Sequence, residues 1–465
     1  MEIEEFEEAT VVGAGPVGCV LATLLARRGV DVTLFEKRPD MRRADIDGGR
    51  SINLVLTDRG LRALDRIGLR DRILDHTVPV RGRMMHSTDG EQTYQPYGKD
   101  ASECNYSVSR GRLNELLLDT AEDTGVEIHF EHAVSSVDFD ANRLSFGPSD
   151  TGEEIADVAD YDVVFGCDGA PSALRKALVE RGDVDESVVF MEWGYKELRF
   201  PAGDDGSWPM QNEALHIWPR GEHFLMGLAN PDGSFTGTIY LARRGDVSFE
   251  ALDDEEAVRA FFDEYYTTAV PYLGDYVEEF LEHPTGSLGT VRAAPWYLDG
   301  QVLLVGDAAH GIVPFFGQGL NSGFEDCVVL DDLLDDGGFR PLEDVFEAFY
   351  QRRKPNTDAI ADMALENAVE MGEKVADADF LLQKEIEERL EQTFDDIYRS
   401  RYATVMYSTI PYAVAFEAGE IQQEILAELA AGVDDAADVD LDEARKLIDE
   451  RLTPIYERHD VTLDF

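Results

Sequence analysis

Three glycine–acid features punctuate this chain, and each could hold part of a phosphorylated nucleotide. The first is Gly13-x-Gly15-x-x-Gly18. Gly13 permits a tight turn, Gly15 lets the backbone approach a pyrophosphate, and Gly18 lets a helix pack closely on a strand. Glu36 follows as the acid that would accept hydrogen bonds from a ribose. An acid in place of a basic residue there favours an unphosphorylated ribose, so FAD or NAD over NADP. The other two features are Asp168-Gly169 and Gly306-Asp307. Any one Asp-Gly pair is more often a plain turn. All three in this order imply one extended FAD, with Asp168 beside the phosphates and Asp307 against the ribityl chain.

The elements that must carry these residues read clearly. An apolar run from Ala9 to Val12 leads into the first glycine turn, Cys19 to Ala26 has a helix pattern, and Asp31 to Phe35 is a second strand ending on Glu36. Tyr161–Phe165 and Gln301–Val305 are buried strands that run into the other two turns. A helix N-terminus after the fingerprint offers free N–H groups and a partial positive charge to phosphates. Lys37–Asn53 reads as a loop over the nucleotide, and Pro148–Asp160 as a hairpin or loop. Val80–Ser87 and Thr93–Tyr97, joined by a turn at Asp89-Gly90, set Arg83 and Tyr97 on neighbouring strands. From Val188 to Leu241 the chain is strand-rich and aromatic, an antiparallel sheet inserted in the first domain. A long helix pattern starts at Ser322, and helix patterns dominate from Leu342 on.

The expected fold is therefore α/β: a Rossmann-like FAD-binding domain (1–75, 101–185 and 286–345), an inserted antiparallel β-sheet substrate domain (76–100 and 186–285) and a C-terminal helical region (346–465). With 465 residues the chain can bury a large core. Its 95 acidic residues against 41 basic ones give a net charge of −54, which argues against nucleic acid or anionic membrane as a partner. The acids are spread along the whole chain and Lys is scarce. A generally acidic solvated surface is one reading; adaptation to high intracellular salt, which screens such repulsion, is the favoured one. Cys19, Cys104, Cys167 and Cys327 show no metal-ligand spacing, so buried free thiols in a reducing cytoplasm are expected. The acidic N-terminus lacks a signal-peptide pattern, and no run of about 18 apolar residues is present to span a membrane.

The fingerprint, Gly166-Cys-Asp168-Gly169 and Gly306-Asp307 together resemble the single-component flavoprotein aromatic hydroxylases. More narrowly, the chain resembles the kynurenine 3-monooxygenase family, over about residues 8 to 415. The motifs that carry this are Gly49-Arg-Ser-Ile-Asn-Leu54, Tyr97-Gly98, Ser107-Val-Ser-Arg110, Tyr195-Lys-Glu-Leu198, Leu215-His-Ile-Trp-Pro-Arg220 and the long run from Gly306 to Cys327. The resemblance implies an FAD enzyme, with NADPH and O2 as co-substrates, converting L-kynurenine to 3-hydroxykynurenine through a flavin C4a-hydroperoxide. The cofactor does that chemistry, so no catalytic side chain and no metal are expected, and the protein must bind, orient and exclude water.

The resemblance also implies the contacts. Arg83 and Tyr97 match the family's carboxylate-binding pair, a two-pronged cation and a hydroxyl donor. Asn367 and Tyr402 match its remaining polar contacts. Leu215, Ile217, Phe224, Met226 and Phe235 are candidates for an apolar slot, with a plain core role equally open for any one. Pro314, Gly317, Gly319, Leu320 and Asn321 would pass beside the isoalloxazine, with Phe315 and Phe316 walling the substrate ring. Arg110 would meet FAD phosphate or adenosine. His310 points to packing beside the flavin rather than acid–base work, and Ser172 and Arg175 to ordering the turn after Asp168. Animal and fungal members tend to carry a C-terminal membrane anchor; here residues 416–465 are acidic and amphipathic, a helical cap or a partner-binding helix, with no membrane anchor. A homodimer stays open. The runner-up readings are a hydroxylase of another aromatic acid, which loss of Arg83 and Tyr97 would have favoured, and a non-catalytic flavin-binding protein.

Overall fold

The computed structural model of this chain describes residues 6–43, 53–100, 102–147, 158–335, 341–371 and 378–463. Most of the Lys37–Asn53 loop, including Gly49–Ile52, and most of Pro148–Asp160 lie outside the described residues. The chain forms two compact units. One comprises Met1–Thr77, Val108–Phe190 and Gly289–Asp358; the other comprises Val78–Ser107, Met191–Leu288 and Ala359–Phe465.

In the first unit the described strands form a sheet in the order Tyr297–Leu298, Val302–Leu304, Val164–Gly166, Glu8–Val12, Asp31–Phe35, Glu127–His129. All neighbours are parallel except the first pair. The central strands are buried almost throughout, which is why they read as unbroken apolar runs rather than alternating ones. Register fixes the rest. Val12 lies opposite both Phe35 and Gly166, and Gly166 lies opposite Leu304. The residues that follow each strand (Gly13, Glu36, Cys167-Asp168 and Val305-Gly306-Asp307) therefore emerge along one edge, the carboxyl edge where such sheets hold ligands. Helix Pro16–Arg27 starts with proline in its first turn, where no N–H is needed, and packs against helices Arg110–Asp123 and Gly319–Asp335.

The second unit is built on an antiparallel sheet containing one parallel pair. Its order is Gly286–Ala294, Asp185–Phe200, Phe235–Ala242, Phe224–Ala229, Ala214–Pro219, Gly82–His86, Gln92–Pro96, with Ala214–Pro219 and Gly82–His86 parallel. One face packs on helices Glu255–Tyr265 and Tyr276–Glu282. Leu198, Phe200, Trp218, Leu225, Phe235, Ile239 and Leu241 meet Val258, Phe261, Phe262 and Phe280 there. The Phe200 ring lies over Gly227 and Gly237; a β-carbon on Gly237 would collide with it, and one on Gly227 would crowd it. The conspicuous His216-Ile-Trp-Pro-Arg220 segment is scaffolding on this side. His216 Nδ1 bonds His86 Nε2 at 2.8 Å, Trp218 stacks on His86, and Arg220 donates to the carbonyls of Tyr265, His86 and Pro219.

A second apolar cluster in this unit joins helices Ala378–Thr393, Tyr412–Ala430 and the short helices beyond, through Ile386, Leu390, Ile425, Leu429, Leu447, Ile448 and Leu452. The amphipathic C-terminal runs thus bury their apolar faces within their own unit, as a cap would. Among the described residues, no helix is long and apolar enough to cross a membrane.

Candidate active site

In the first unit the glycine turn is shaped for an anionic ligand. Gly13 has φ +104°, and a β-carbon there would strike the Cys167 carbonyl; one on Gly18 would strike the Gly13 carbonyl oxygen. Neither position tolerates a side chain. Gly15 differs: a β-carbon there would meet nothing within 4 Å, so the space over the start of helix Pro16–Arg27 is open. Gly15 caps that helix without a side-chain bond, leaving first-turn N–H groups for phosphate oxygens. Glu36 is buried, one oxygen accepting from Ala14 N–H at 2.9 Å and the other from Arg38 N–H at 3.0 Å. The carboxylate is fixed beside the turn; Oε1 also faces Arg38 Nε at 3.3 Å, and Oε2 keeps a second lone pair for a ribose.

Asp168 Oδ2 accepts from Ala173 N–H at 2.6 Å, while its Oδ1 is buried with no hydrogen-bond partner. Burial pushes this carboxyl up. A buried acceptor without a donor calls for a ligand or water at this edge. Ser172 caps helix Ala173–Arg181, and Arg175 donates to the Ala308 and Ala170 carbonyls, tying this turn to the Gly306 turn. Asp307 is exposed, yet the surrounding protein pushes its carboxyl up, against the charges of His310 and Arg110. The open ground at Gly15, the orphaned Asp168 oxygen and the exposed Asp307 carboxylate, all following strands along one sheet edge, fit an FAD stretched along that edge.

The Gly306 turn hangs from a buried charge network that sequence reading missed. Asp326, 0% exposed, accepts from Gly306 N–H at 3.0 Å, His310 Nε2 at 2.5 Å and Arg353 Nε at 2.6 Å. Arg353 and Arg59 both pair with Glu325. His310 and Arg353 hold the Asp326 carboxyl below its usual range despite its burial. His310, packed on Trp296 at 5.0 Å, is a structural member of this network. Pro314–Phe316 forms a short turn ending at Gly317, φ +66°. The following helix starts at Gly319, not at Ser322 as its sequence pattern suggests. Asn321 explains this: its Nδ2 donates to the Gly317 and Val55 carbonyls and its Oδ1 accepts from Thr57 N–H. The Asn321 side chain is therefore a brace for the loop rather than a free ligand group. The N–H groups of Gly319, Leu320 and Asn321 precede the first helical bond, made by Ser322. Phe315 and Phe316 are buried on the same turn in this unit.

In the second unit Arg83, Tyr97 and Tyr402 come together. Gln95 lies opposite Arg83, and its Oε1 accepts from Arg83 Nε at 2.6 Å, so the Nη atoms remain for a two-pronged carboxylate. Tyr97 follows on the same face as Gln95, its ring 4.9 Å from that of Tyr402. Burial pushes the Tyr97 hydroxyl up to about 12, against the Arg83 charge and a bond from Tyr402, so it remains an O–H donor at neutral pH. Tyr402 is on helix Arg401–Met406, whose start Ser400 caps, and Asn367 lies on helix Leu342–Val369. Lys384 feels the Arg83 charge and pairs with Glu387 at 2.9 Å; sequence reading missed it.

Register sorts the apolar candidates. Leu215 is paired with Arg83, and Ile217 with Met85 and Met226, so Leu215, Ile217 and Met226 share the Arg83 face. Phe224 follows on that face, stacked on Tyr240 at 4.7 Å. Phe235 does not belong with them. It sits opposite Phe200 on the other face and is buried in the helix-side core. An aromatic residue in an alternating strand gives its type but not its side, and here the pairing register decides it.

Comparison with known proteins places these features in a family. Residues 7–335 match the FAD binding domain model. The kynurenine 3-monooxygenase of Myxococcus xanthus (strain DK1622) is 49% identical over 454 residues, covering 97% of both chains. That of Stenotrophomonas maltophilia (strain K279a) is 41% identical over 431 residues, covering 93% of this chain and 94% of the relative. Among solved structures, the tetrameric form of 2-methyl-3-hydroxypyridine-5-carboxylic acid oxygenase aligns with a TM-score of 0.61 at 20% identity, over 78% of this chain and 91% of that one, a likeness of fold.

Proposed function

The chain belongs to the kynurenine 3-monooxygenase family of FAD-dependent monooxygenases, and on that premise we propose that it hydroxylates L-kynurenine at ring position 3 with NADPH and O2. One oxygen atom enters the ring C–H bond and the other leaves as water, with two electrons supplied by NADPH. FAD, when bound, supplies the activation of O2 that no side chain can provide. The chain's own residues bind and orient. The Gly15 turn and the first turn of helix Pro16–Arg27 take the pyrophosphate, Glu36 a ribose and Asp307 the ribityl chain, while Asp168 lies by the phosphates. Arg83 holds the amino-acid carboxylate, with Tyr97 and Tyr402 donating hydroxyls and Asn367 completing the polar contacts. Leu215, Ile217, Phe224 and Met226 supply apolar surface for the aminophenyl ring. The N–H groups of Gly319, Leu320 and Asn321 favour negative charge on the reduced ring. The four buried thiols suit a reducing compartment, the cytoplasm.

The single observation that carries this reading is the Arg83–Tyr97–Tyr402 cluster, a partly buried cation with two neutral hydroxyls and apolar neighbours. That is an anchor for one carboxylate on an aromatic molecule. The test is NADPH oxidation by the FAD-loaded protein with and without L-kynurenine. Oxidation stimulated by L-kynurenine, with 3-hydroxykynurenine formed, is expected. Stimulation that yields only H2O2 would make kynurenine an effector and another aromatic acid the substrate.

A further inference from the structure

The carboxylate anchor has a buried neighbour, Asn105. Asn105 opens strand Asn105–Ser109 and is 3% exposed. Its Nδ2 donates to Tyr402 Oη at 3.1 Å, and its Oδ1 is buried without a hydrogen-bond partner. A buried amide that leaves one acceptor unmet is costly, and it is retained where its donor side is needed.

Phenol groups make the direction of this bond consequential. Each tyrosine has a single hydroxyl hydrogen. An oxygen of Tyr402 that accepts from Asn105 leaves its own hydrogen to donate to Tyr97, whose oxygen then accepts. The Tyr97 hydrogen is thereby released from the pair and turned towards whatever anion Arg83 holds. Reversing the first bond would reverse the chain and point lone pairs at that anion. We propose that Asn105 is a positioning residue that fixes the donor order Asn105 to Tyr402 to Tyr97, making the Tyr97 hydroxyl a donor to the substrate carboxylate on Arg83. The proposal rests on the functional reading above and adds to it a residue that selects for an anionic ligand group. Burial keeps both phenols neutral, as the chain requires: Tyr97 is pushed up to about 12 and Tyr402 well above its ordinary value.

The test compares Asn105→Asp, which can only accept, with the parent. Dissociation constants of L-kynurenine and of its carboxamide are read from the flavin absorbance change of the FAD-loaded protein, without turnover. Asn105→Asp is expected to weaken L-kynurenine at least about tenfold, the size of one hydrogen bond to a charged group. The carboxamide, which can either donate or accept, should change less than about threefold by the same reasoning. In a Tyr402→Phe background the Asp substitution should add nothing further, since the relay is already cut. Equal binding of L-kynurenine by Asn105→Asp, or equal weakening of both ligands, overturns the relay. Should Asn105→Asp fail to fold, Asn105→Ala carries the same comparison: selective loss for the carboxylate supports the relay, and no loss overturns it. A parent protein that binds neither ligand defeats the functional reading and the relay together.

Discussion

Replacing Asp326 by Asn tests whether the Gly306–Asp307 turn is held by buried charge. The carboxylate serves three donors at once: Gly306 N–H, His310 Nε2 and Arg353 Nε. An amide has one acceptor oxygen, and its NH2 group must face at least one of those donors. Arg353, 2% exposed, would lose the Asp326 carboxylate and keep its pair with Glu325. Removing one partner of a buried pair costs about 3–5 kcal/mol. At about 2–4 °C per kcal/mol for a domain of ordinary size, the first unit should melt roughly 10 °C lower. Because Gly306 N–H loses its acceptor, FAD should also dissociate more readily, by about an order of magnitude if one such bond is lost. Differential scanning fluorimetry gives the melting shift, and flavin fluorescence on dilution gives the affinity. Asp326→Asn with melting within about 2 °C of the parent and unchanged FAD retention would refute this argument, because so small a loss is what a surface pair gives.

Gly15 and Gly13 should separate binding from folding. Gly15→Val places its side chain in open ligand space, so it should abolish FAD binding while the apo protein melts as the parent does. Gly13→Ala, at φ +104° against the Cys167 carbonyl, should lower the melting temperature outright. Arg83→Met should raise the KM for L-kynurenine about a hundredfold, since a charge-assisted bond contributes about 1.5–3 kcal/mol, and Arg83→Lys should recover part of that; both are read in steady-state assays. Acid should destabilise the second unit through its buried histidines. Burial holds His86 down to about 3 and His223 down to about 4, below the unfolded value of about 6.5. Their contribution is whole above pH ~6.5 and falls by about 1.4 kcal/mol per pH unit per histidine as pH drops towards those values. A melting series from pH 7.5 to 4.5 should show that loss in the parent and a shallower slope in His223→Phe.

The sheet edge of the first unit was legible because local pattern and chemistry agree there. Strand, glycine turn and acid recur in order, and parallel pairing then has little choice but to align them. Arg83 and Tyr97 were legible for a related reason: a two-strand hairpin with an Asp-Gly turn fixes which residues share a face. Phe235 was not, since alternation leaves the choice of face to partners that sequence does not display. The start of the helix at Gly319 was hidden by glycine's poor helix propensity, which the Asn321 side chain overrides by bonding the Gly317 and Val55 carbonyls. Asp326, Arg353 and Glu325 look in sequence like ordinary acidic and basic helix positions, and only packing reveals that the first two are buried and the third half-buried. Asn105 carried no distinct signal in a strand that reads Asn-Tyr-Ser-Val-Ser, and its meaning depends on Tyr402, almost three hundred positions later.

The central claim is that this chain places one atom of O2 on the ring of an aromatic amino acid. The most direct measurement supplies 18O2 to the FAD-loaded protein with NADPH and L-kynurenine and weighs the product. The account predicts 3-hydroxykynurenine carrying a single heavy oxygen. Product whose new oxygen comes from water, or NADPH oxidation without any hydroxylated product, would contradict it.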